Sequence, residues 1–251
     1  MNIDIFYLLV WFWIGLAFIV FPAALFVTAP YGRHSKPFGP MIQNRWGWLI
    51  MEAPSPLLFA YFFLTGEADK TAVHWVFFAL FMAHYIHRTF IWPFRVRSGK
   101  KKMPMVIMGS AVFFNAINGP INGYFLGNFA TYDLAWFSTG WFILGICVFL
   151  LGMFINISSD YRLINLRKPG ETGYKIPYGG FFKWVSAPNI MGEIIEWTGW
   201  GIMTFSLPTL SFTLWTYANL IPRALDHHRW YQEKFGEEYP KDRKAVFPKV
   251  L

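Results

Sequence analysis

The twenty residues VHWVFFALFMAHYIHRTFIW, Val73 to Trp92, decide the fold. Their length matches the roughly 20 residues that a helix needs to cross a hydrocarbon layer. Most are apolar or aromatic, yet they include His84, Tyr85, His87 and Arg88. Polar side chains at membrane depth are expensive, and their presence points to function.

This run, about 72–92, is one of seven; the others cover about 5–29, 46–65, 104–125, 133–156, 187–204 and 207–222. Composition agrees with a membrane protein. Apolar residues make up 55% of the chain, aromatics 21% and charged residues 14%, against about 25% charged in an ordinary soluble domain. The 28 Phe and 13 Trp are more than one soluble core could hide. The expectation is an all-α, polytopic membrane protein with seven transmembrane helices.

Charge placement sets the orientation. If the segments alternate direction, the loops near 30–45, 93–103 and 157–186 and the tail from 223 share one side, with 3, 5, 5 and 7 Lys/Arg, 20 of the 22. Positive charge marks the cytoplasmic side, which puts the N-terminus outside or lumenal and the C-terminus in the cytoplasm. The net charge of +8 therefore describes topology, and a nucleic-acid partner, which needs that charge on one soluble surface, is not expected. Residues 5–29 carry no basic n-region and run too long for a cleaved signal, so they read as a retained helix. The single cysteine, Cys147, excludes an intramolecular disulfide and a cysteine metal cluster.

No internal repeat or low-complexity linker divides the chain, and residues 1–251 read as a single integral-membrane domain. The stretch 157–186 is the longest hydrophilic interior segment, with turn formers at Arg167-Lys168-Pro169-Gly170 and Pro177-Tyr178-Gly179-Gly180. Gly119, Gly123 and Gly127 recur every four residues, a pattern that suits close helix packing through small side chains.

Four groups could carry chemistry. Glu52 lies inside the second apolar run, where an unpaired carboxylate loses its hydration and the protonated acid is favoured; the other reading pairs it with Arg88. A helical step of 100° puts His84, His87 and Arg88 on one face and Tyr85 over Arg88 and Thr89. The pair His84-X-X-His87 with His227-His228 hints at a membrane di-iron enzyme. Such enzymes carry about eight ligands in several histidine boxes, whereas this chain has six histidines in all, with His34 and His74 placed in loops. No metal is expected.

In the third group, Asn189, Glu193 and Glu196 share one face of the sixth helix, and two acids there need cations, donors or a proton. Candidate cations are Arg223, Arg229, Arg167 and Lys168. In the fourth, Arg223, His227 and Tyr231 form a stripe if the seventh helix continues into the tail; an interfacial amphipathic helix is the alternative. Asn156, Asp160, Arg167 and Tyr174 add an amide, an acid, a cation and a ring on the cytoplasmic side. Together these groups suit a ligand with phosphate, ribose and an aromatic ring. No Gly-X-Gly-X-X-Gly or phosphate-cradling Gly-Lys-Ser/Thr loop is present, so a nucleotide would sit among helices.

At these residues the chain resembles the steroid 5α-reductase family, the 3-oxo-5α-steroid 4-dehydrogenases. The resemblance rests on His84-Tyr85-Ile86-His87-Arg88-Thr89-Phe90, on residues 152–161 (GMFINISSDY), on Leu166-Arg167-Lys168-Pro169-Gly170-Glu171, on Gly192-Glu193-Ile194-Ile195-Glu196-Trp197 and on the tail runs His227-His228-Arg229 and Glu238 to Ala245. The Glu-Ile-Ile-Glu-Trp segment and the Tyr-Pro…Arg tail are similar to a wider group that includes isoprenylcysteine methyltransferases and sterol reductases. Glu52 with His-Tyr-X-His-Arg is narrower.

The resemblance implies a seven-helix reductase that takes hydride from NADPH and saturates the 4,5 double bond of a 3-oxo-Δ4 steroid or similar enone lipid drawn from the bilayer. It implies that Glu52 and Tyr85 bind the 3-ketone. It also implies that Asn156, Asp160, Arg167, Tyr174, Asn189, Glu193, Arg223, His227 and Tyr231 contact the cofactor. The family often has Gln-Glu where this chain has Met51-Glu52. The expected location is the endoplasmic reticulum in a eukaryote or the cytoplasmic membrane in a bacterium, with membrane lipids around it and no obligate protein partner. A methyltransferase or another enone-lipid reductase on the same scaffold, and a transporter, are the alternatives; the missing inverted repeats and broken helices speak against transport.

Overall fold

The structure, a computed structural model, describes the whole chain except Tyr31, Ser35, Lys36, Pro37, Ser98, Lys100, Pro169, Gly170 and Thr172. Two of the expected turn formers, Pro169 and Gly170, therefore lie outside the described residues. The chain is mostly helical, 74%. Its helices are α1 (Ile3–Phe26), α2 (Asn44–Glu52), α3 (Pro54–Thr65), α4 (Ala72–Ile86), α5 (Trp92–Arg95), α6 (Met105–Asn128), α7 (Gly140–Asn165), α8 (Pro188–Thr204) and α9 (Leu207–Phe235).

Among the described residues, three segments are both long and apolar enough to cross a membrane: α1, the stretch Asn44–Thr65 and α7. The other four runs are interrupted or diluted by polar groups. The third run breaks after α4 into one π-helical turn, His87–Ile91. Asn115, Asn118 and Asn122 lie within α6, α8 has only 17 residues, and α9 turns hydrophilic in its second half.

Several boundaries differ from the sequence expectation. The run 133–156 begins as a short 3-10 turn, Leu134–Ser138, in which Asp133 accepts from the Trp136 amide, and only Gly140 opens the helix. That helix then runs nine residues past 156, so Asn156 and Asp160 are helical and the hydrophilic loop is shorter than 157–186. The last helix runs to Phe235 instead of 222, through Pro222. His74 is not in a loop: its Nδ1 accepts from the Thr71 amide at 3.2 Å, and together they cap α4.

One element departs from an all-α plan. Met41–Gln43 and Lys102–Pro104, here β1 and β2, pair antiparallel with Ile42 opposite Met103. Backbone bonds from Asn44 to Lys101 and from Met105 to Pro40 close the ribbon at both ends. The ribbon ties the starts of α2 and α6 together and so sets the register between Glu52 and Asn115.

By contact clustering the chain forms two compact units. Unit 1 holds residues 1–12, 29–143 and 206–209; unit 2 holds 13–28, 144–205 and 210–251. In unit 1, α3 and α6 meet along the glycine stripe. A Cβ at Gly119, Gly123 or Gly127 would come within 2.7, 2.4 and 2.5 Å of the backbone oxygens of Ser55, Phe59 and Phe62. No side chain fits there, so the helices touch backbone to backbone. Pro54, which has no amide hydrogen to give, begins α3 and makes Glu52 the last residue of α2.

Unit 2 uses the same device between α7 and α8. A Cβ on Gly152 would reach the Glu196 nitrogen at 2.2 Å, and one on Gly192 the Asn156 nitrogen at 2.3 Å. Around this contact Ile155, Val185, Ile190, Met191, Ile194, Ala224 and Val246 form a buried apolar cluster. The tail folds back to meet it: the Ser186 amide donates to Lys244, the Ala187 amide to Ala245 and the Lys244 amide to Trp184.

Candidate functional site

Unit 1 gathers the first set of candidate residues around the end of α2. Glu52 is nearly buried; its Oε1 lies 4.0 Å from Nε of Arg88. Arg88 is carried by the π-helical turn that follows α4, a distortion that is frequent at functional sites. Its guanidinium carbon lies 4.8 Å from each of the Trp48 and Trp92 rings, and those two indoles meet edge to face. Aromatic faces attract a cation that has left bulk water, so a charge can sit here beside a carboxyl group. The sequence offered an Arg88–Glu52 pair as one of two readings, and the structure brings the two together.

Asn115 on α6 completes this group. Its Nδ2 donates to the Met51 carbonyl at 2.6 Å and to Oε2 of Glu52 at 3.4 Å. The bond to Met51 fixes the amide orientation, because a flipped amide would set two oxygens against each other. The sequence reading missed Asn115, whose role depends on the α2–α6 register. Asn118, one turn along α6, is fully buried, and neither atom of its side-chain amide bonds to a described residue. Buried amides nearly always have a partner, so this part of the unit can accept a polar ligand atom.

Tyr85 is buried in α4. Its ring lies 4.8 Å from Phe81, which stacks on Phe59 of α3 at 3.8 Å, and 5.0 Å edge-on from His84. His84 is therefore a packing partner of Tyr85, and His87 is half-buried beside it in sequence. Among the described residues no three His, Cys, Asp or Glu side chains come together as a metal site.

Unit 2 holds the second set. The glycine contact brings Asn156 and Asp160, one turn apart on α7, against the first turn of α8. The Asn156 amide donates to the Asn189 carbonyl at 2.9 Å, and the Asn189 amide donates to Oδ1 of Asp160 at 2.9 Å. With its nitrogen committed to Asp160, Asn189 presents its own oxygen as an acceptor. Glu193 is half-buried on the same helix, and Glu196 is fully buried.

The remaining candidates come from the loop and from α9. Arg167 donates to the Gly173 carbonyl at 3.1 Å, and Tyr174 packs edge-on against Trp230 at 4.7 Å. Because α9 continues past 222, Arg223, His227 and Tyr231 do lie on one helix. Arg223 and His227 are half-buried, while Tyr231 is buried and stacks on Tyr239 of the tail at 5.3 Å. Arg229, one of the cations considered for Glu193, is ion-paired with Asp226 of its own helix.

A hydrogen-bond network that sequence reasoning also missed links the start of α8 to the tail. Ser186 Oγ lies 2.5 Å from Nδ1 of His228, 2.6 Å from the Tyr239 hydroxyl and 3.1 Å from the Lys244 carbonyl. Gln232 Nε2 faces Nε2 of His228 at 2.9 Å. One proton arrangement satisfies all four contacts. Gln232 donates to a bare Nε2, so Nδ1 carries the hydrogen and donates to Ser186. Tyr239 also donates to Ser186, whose own hydrogen goes to Lys244. Burial, and then the Lys244 charge, hold His228 below the ordinary histidine range, which favours this neutral ring. Burial likewise pushes the Tyr239 hydroxyl up. His227 precedes His228 on the same turn of α9.

The donor set of unit 2 fits a nicotinamide dinucleotide. It offers amide and carboxylate acceptors for hydroxyl groups, arginines for phosphate, the N-terminus of α8, which favours anions, and an aromatic pair for a base.

Comparison with known proteins gives a consistent picture. Residues 101–251 match the family described as 3-oxo-5-alpha-steroid 4-dehydrogenase. The chain is 40% identical over 252 residues to steroid 5-alpha-reductase DET2 of Solanum lycopersicum, covering 98% of this chain and 96% of that protein. It is 41% identical over 239 residues to 3-oxo-5-alpha-steroid 4-dehydrogenase 1 of Rattus norvegicus, covering 94% and 92%. It is 41% identical over 221 residues to the Homo sapiens protein of that name, covering 87% and 85%. The family region 101–251 contains all nine candidate cofactor residues, whereas Glu52 and Tyr85 precede it.

Proposed function

The chain belongs to the 3-oxo-5-alpha-steroid 4-dehydrogenase family, and from that premise we propose that it reduces the 4,5 double bond of a 3-oxo-Δ4 steroid to the 5α product, with NADPH as reductant. The observation that carries this reading is identity near 40% along almost the whole chain. The largely buried Glu52–Arg88–Asn115 group supports it, because polar side chains in an apolar run are rarely idle. The charge bias supports seven crossings with the C-terminus in the cytoplasm, the whole chain acting as one membrane-embedded reductase domain.

The chemistry asks for charge stabilisation at the ketone. Addition at C5 drives electron density through C4 onto the 3-oxygen, and donors aimed at that oxygen lower the barrier. The Tyr85 hydroxyl is one donor to that oxygen. Glu52 adds a second donor in its acid form, as a neutral carboxylic acid does in other apolar sites. Asn115 donates to Oε2 of Glu52 and so orients the carboxyl group. Arg88 adds positive field at the same place. C4 then takes a proton from water or a relayed donor.

In unit 2, Asn156, Asp160, Asn189 and Glu193 hold the polar parts of the cofactor, Arg167 and Arg223 its phosphates, and Tyr174, His227 and Tyr231 line its rings. When bound, NADPH supplies the hydride to C5. Lys168 beside Arg167 offers charge to a 2′-phosphate.

The test is purified protein incubated with NADPH and a panel of enone lipids, with the configuration at C5 determined. A 5α product from a 3-oxo-Δ4 steroid is expected. Methyl transfer from S-adenosylmethionine without NADPH consumption would overturn the reading.

A further inference from the structure

On the face of α7 turned away from the glycine contact lies a groove of about 920 Å³. Its floor follows one helical face: Leu150, Met153, Phe154 and Ile157. Leu150 and Phe154 are exposed, as expected for a span that faces hydrocarbon. The groove ends, at the basic-loop end of α7, in Tyr161, Arg162 and Asn165, and the loop residues Pro177 and Tyr178 return to form its other wall.

Arg162 is held in place by that loop. The turn continues through Gly179 and Gly180, whose φ values of 81° and 52° favour glycine. A Cβ on Gly179 would lie 3.1 Å from Nη1 of Arg162, and one on Gly180 would lie 2.7 Å from Nε. The two glycines thus leave the space that the guanidinium fills. Among the described residues Arg162 has no ion pair or side-chain hydrogen bond, so none of them compensates its charge. A cation fixed at the polar end of an apolar groove, on a membrane-spanning helix, is complementary to a molecule with one anionic head and an apolar tail.

We propose that this groove is a binding site for an anionic phospholipid, with the acyl chain along Leu150, Met153, Phe154 and Ile157 and the phosphate on Arg162. The site is separate from the two candidate groups described above: Asn156 and Asp160 lie on the opposite face of α7, against α8. Neither the reductase reading nor the cofactor is needed for it. One arginine near an anionic headgroup contributes about fivefold in affinity, and the apolar wall gives the lipid its residence.

Native mass spectrometry of the detergent-purified full chain, mixed with phosphatidylglycerol or phosphatidylcholine, tests the site. The wild type is expected to retain phosphatidylglycerol in preference, by about fivefold. Arg162→Gln should abolish that preference. Gly180→Ala should weaken it although no charge is lost, because the new methyl displaces the guanidinium. Lys183→Gln, which removes an exposed charge outside the groove, should keep it. Melting temperatures of the variants confirm that each is folded. Equal retention of the two lipids by wild type, or an equal effect of Lys183→Gln and Arg162→Gln, would overturn the proposal. So would displacement of the lipid by inorganic phosphate, which would mean that the arginine holds an anion without the groove.

Discussion

The two candidate groups handle polarity in opposite ways. In unit 1 a single acid, a single arginine and an amide sit among indoles and phenyl rings, and the arginine charge rests against ring faces. In unit 2 amides, carboxylates, a serine, a histidine and a tyrosine bond to one another and to the backbone. The first arrangement is suited to acting on one reacting oxygen in a dry place, where each donor is worth more. The second is suited to recognising a large polar ligand through many partners. On the proposed function turnover depends mainly on unit 1 and cofactor affinity mainly on unit 2, and finding either effect in the wrong unit would break the contrast.

The largest effect is expected in unit 1. Glu52→Leu and Tyr85→Phe should each lower kcat by about 100-fold or more, the scale of losing one donor to a developing oxyanion, with cofactor binding unchanged by fluorescence titration. Wild-type turnover in both variants would remove the site from unit 1. A smaller effect is expected in unit 2. Asn189→Ala should raise the KM for NADPH by about tenfold, the scale of one or two hydrogen bonds, with kcat affected less. A pure kcat loss there would erase the distinction between the units.

The smallest effect concerns the tail network. His228 is held below its ordinary value in the folded chain, so the unfolded state binds the proton more readily. The network therefore contributes stability that is complete above the ordinary histidine range and is lost as pH falls through the lowered value. His228→Gln should flatten the acid side of a melting-temperature profile between neutral pH and about pH 5 while changing the neutral value little. An unchanged slope would show that His228 is not the titrating group.

Much of this was legible in the sequence because it depends on local pattern. The glycines at 119, 123 and 127 announced a close helix contact, which α3 and α6 make, and the four-residue spacing of Arg223, His227 and Tyr231 offered a helix that runs on as one of two readings. The π-helical turn was not legible, since one extra residue in a turn leaves the apolar run from 73 to 92 unchanged while re-aiming Arg88. Nor was Asn115, which meets Glu52 only because a three-residue ribbon, too short to show a strand pattern, aligns α2 with α6. Tyr231 was expected on a stripe with Arg223 and His227; that it is buried under Tyr239 of the tail was not legible. Each of these depends on segments distant in sequence.

The central claim, reduction of the enone by direct addition at C5, is tested most directly with NADPH carrying deuterium at the transferring C4 position. The account predicts a 5α product with deuterium at C5 and none at C4. Deuterium at C4, or reduced steroid without label from the cofactor, would contradict it.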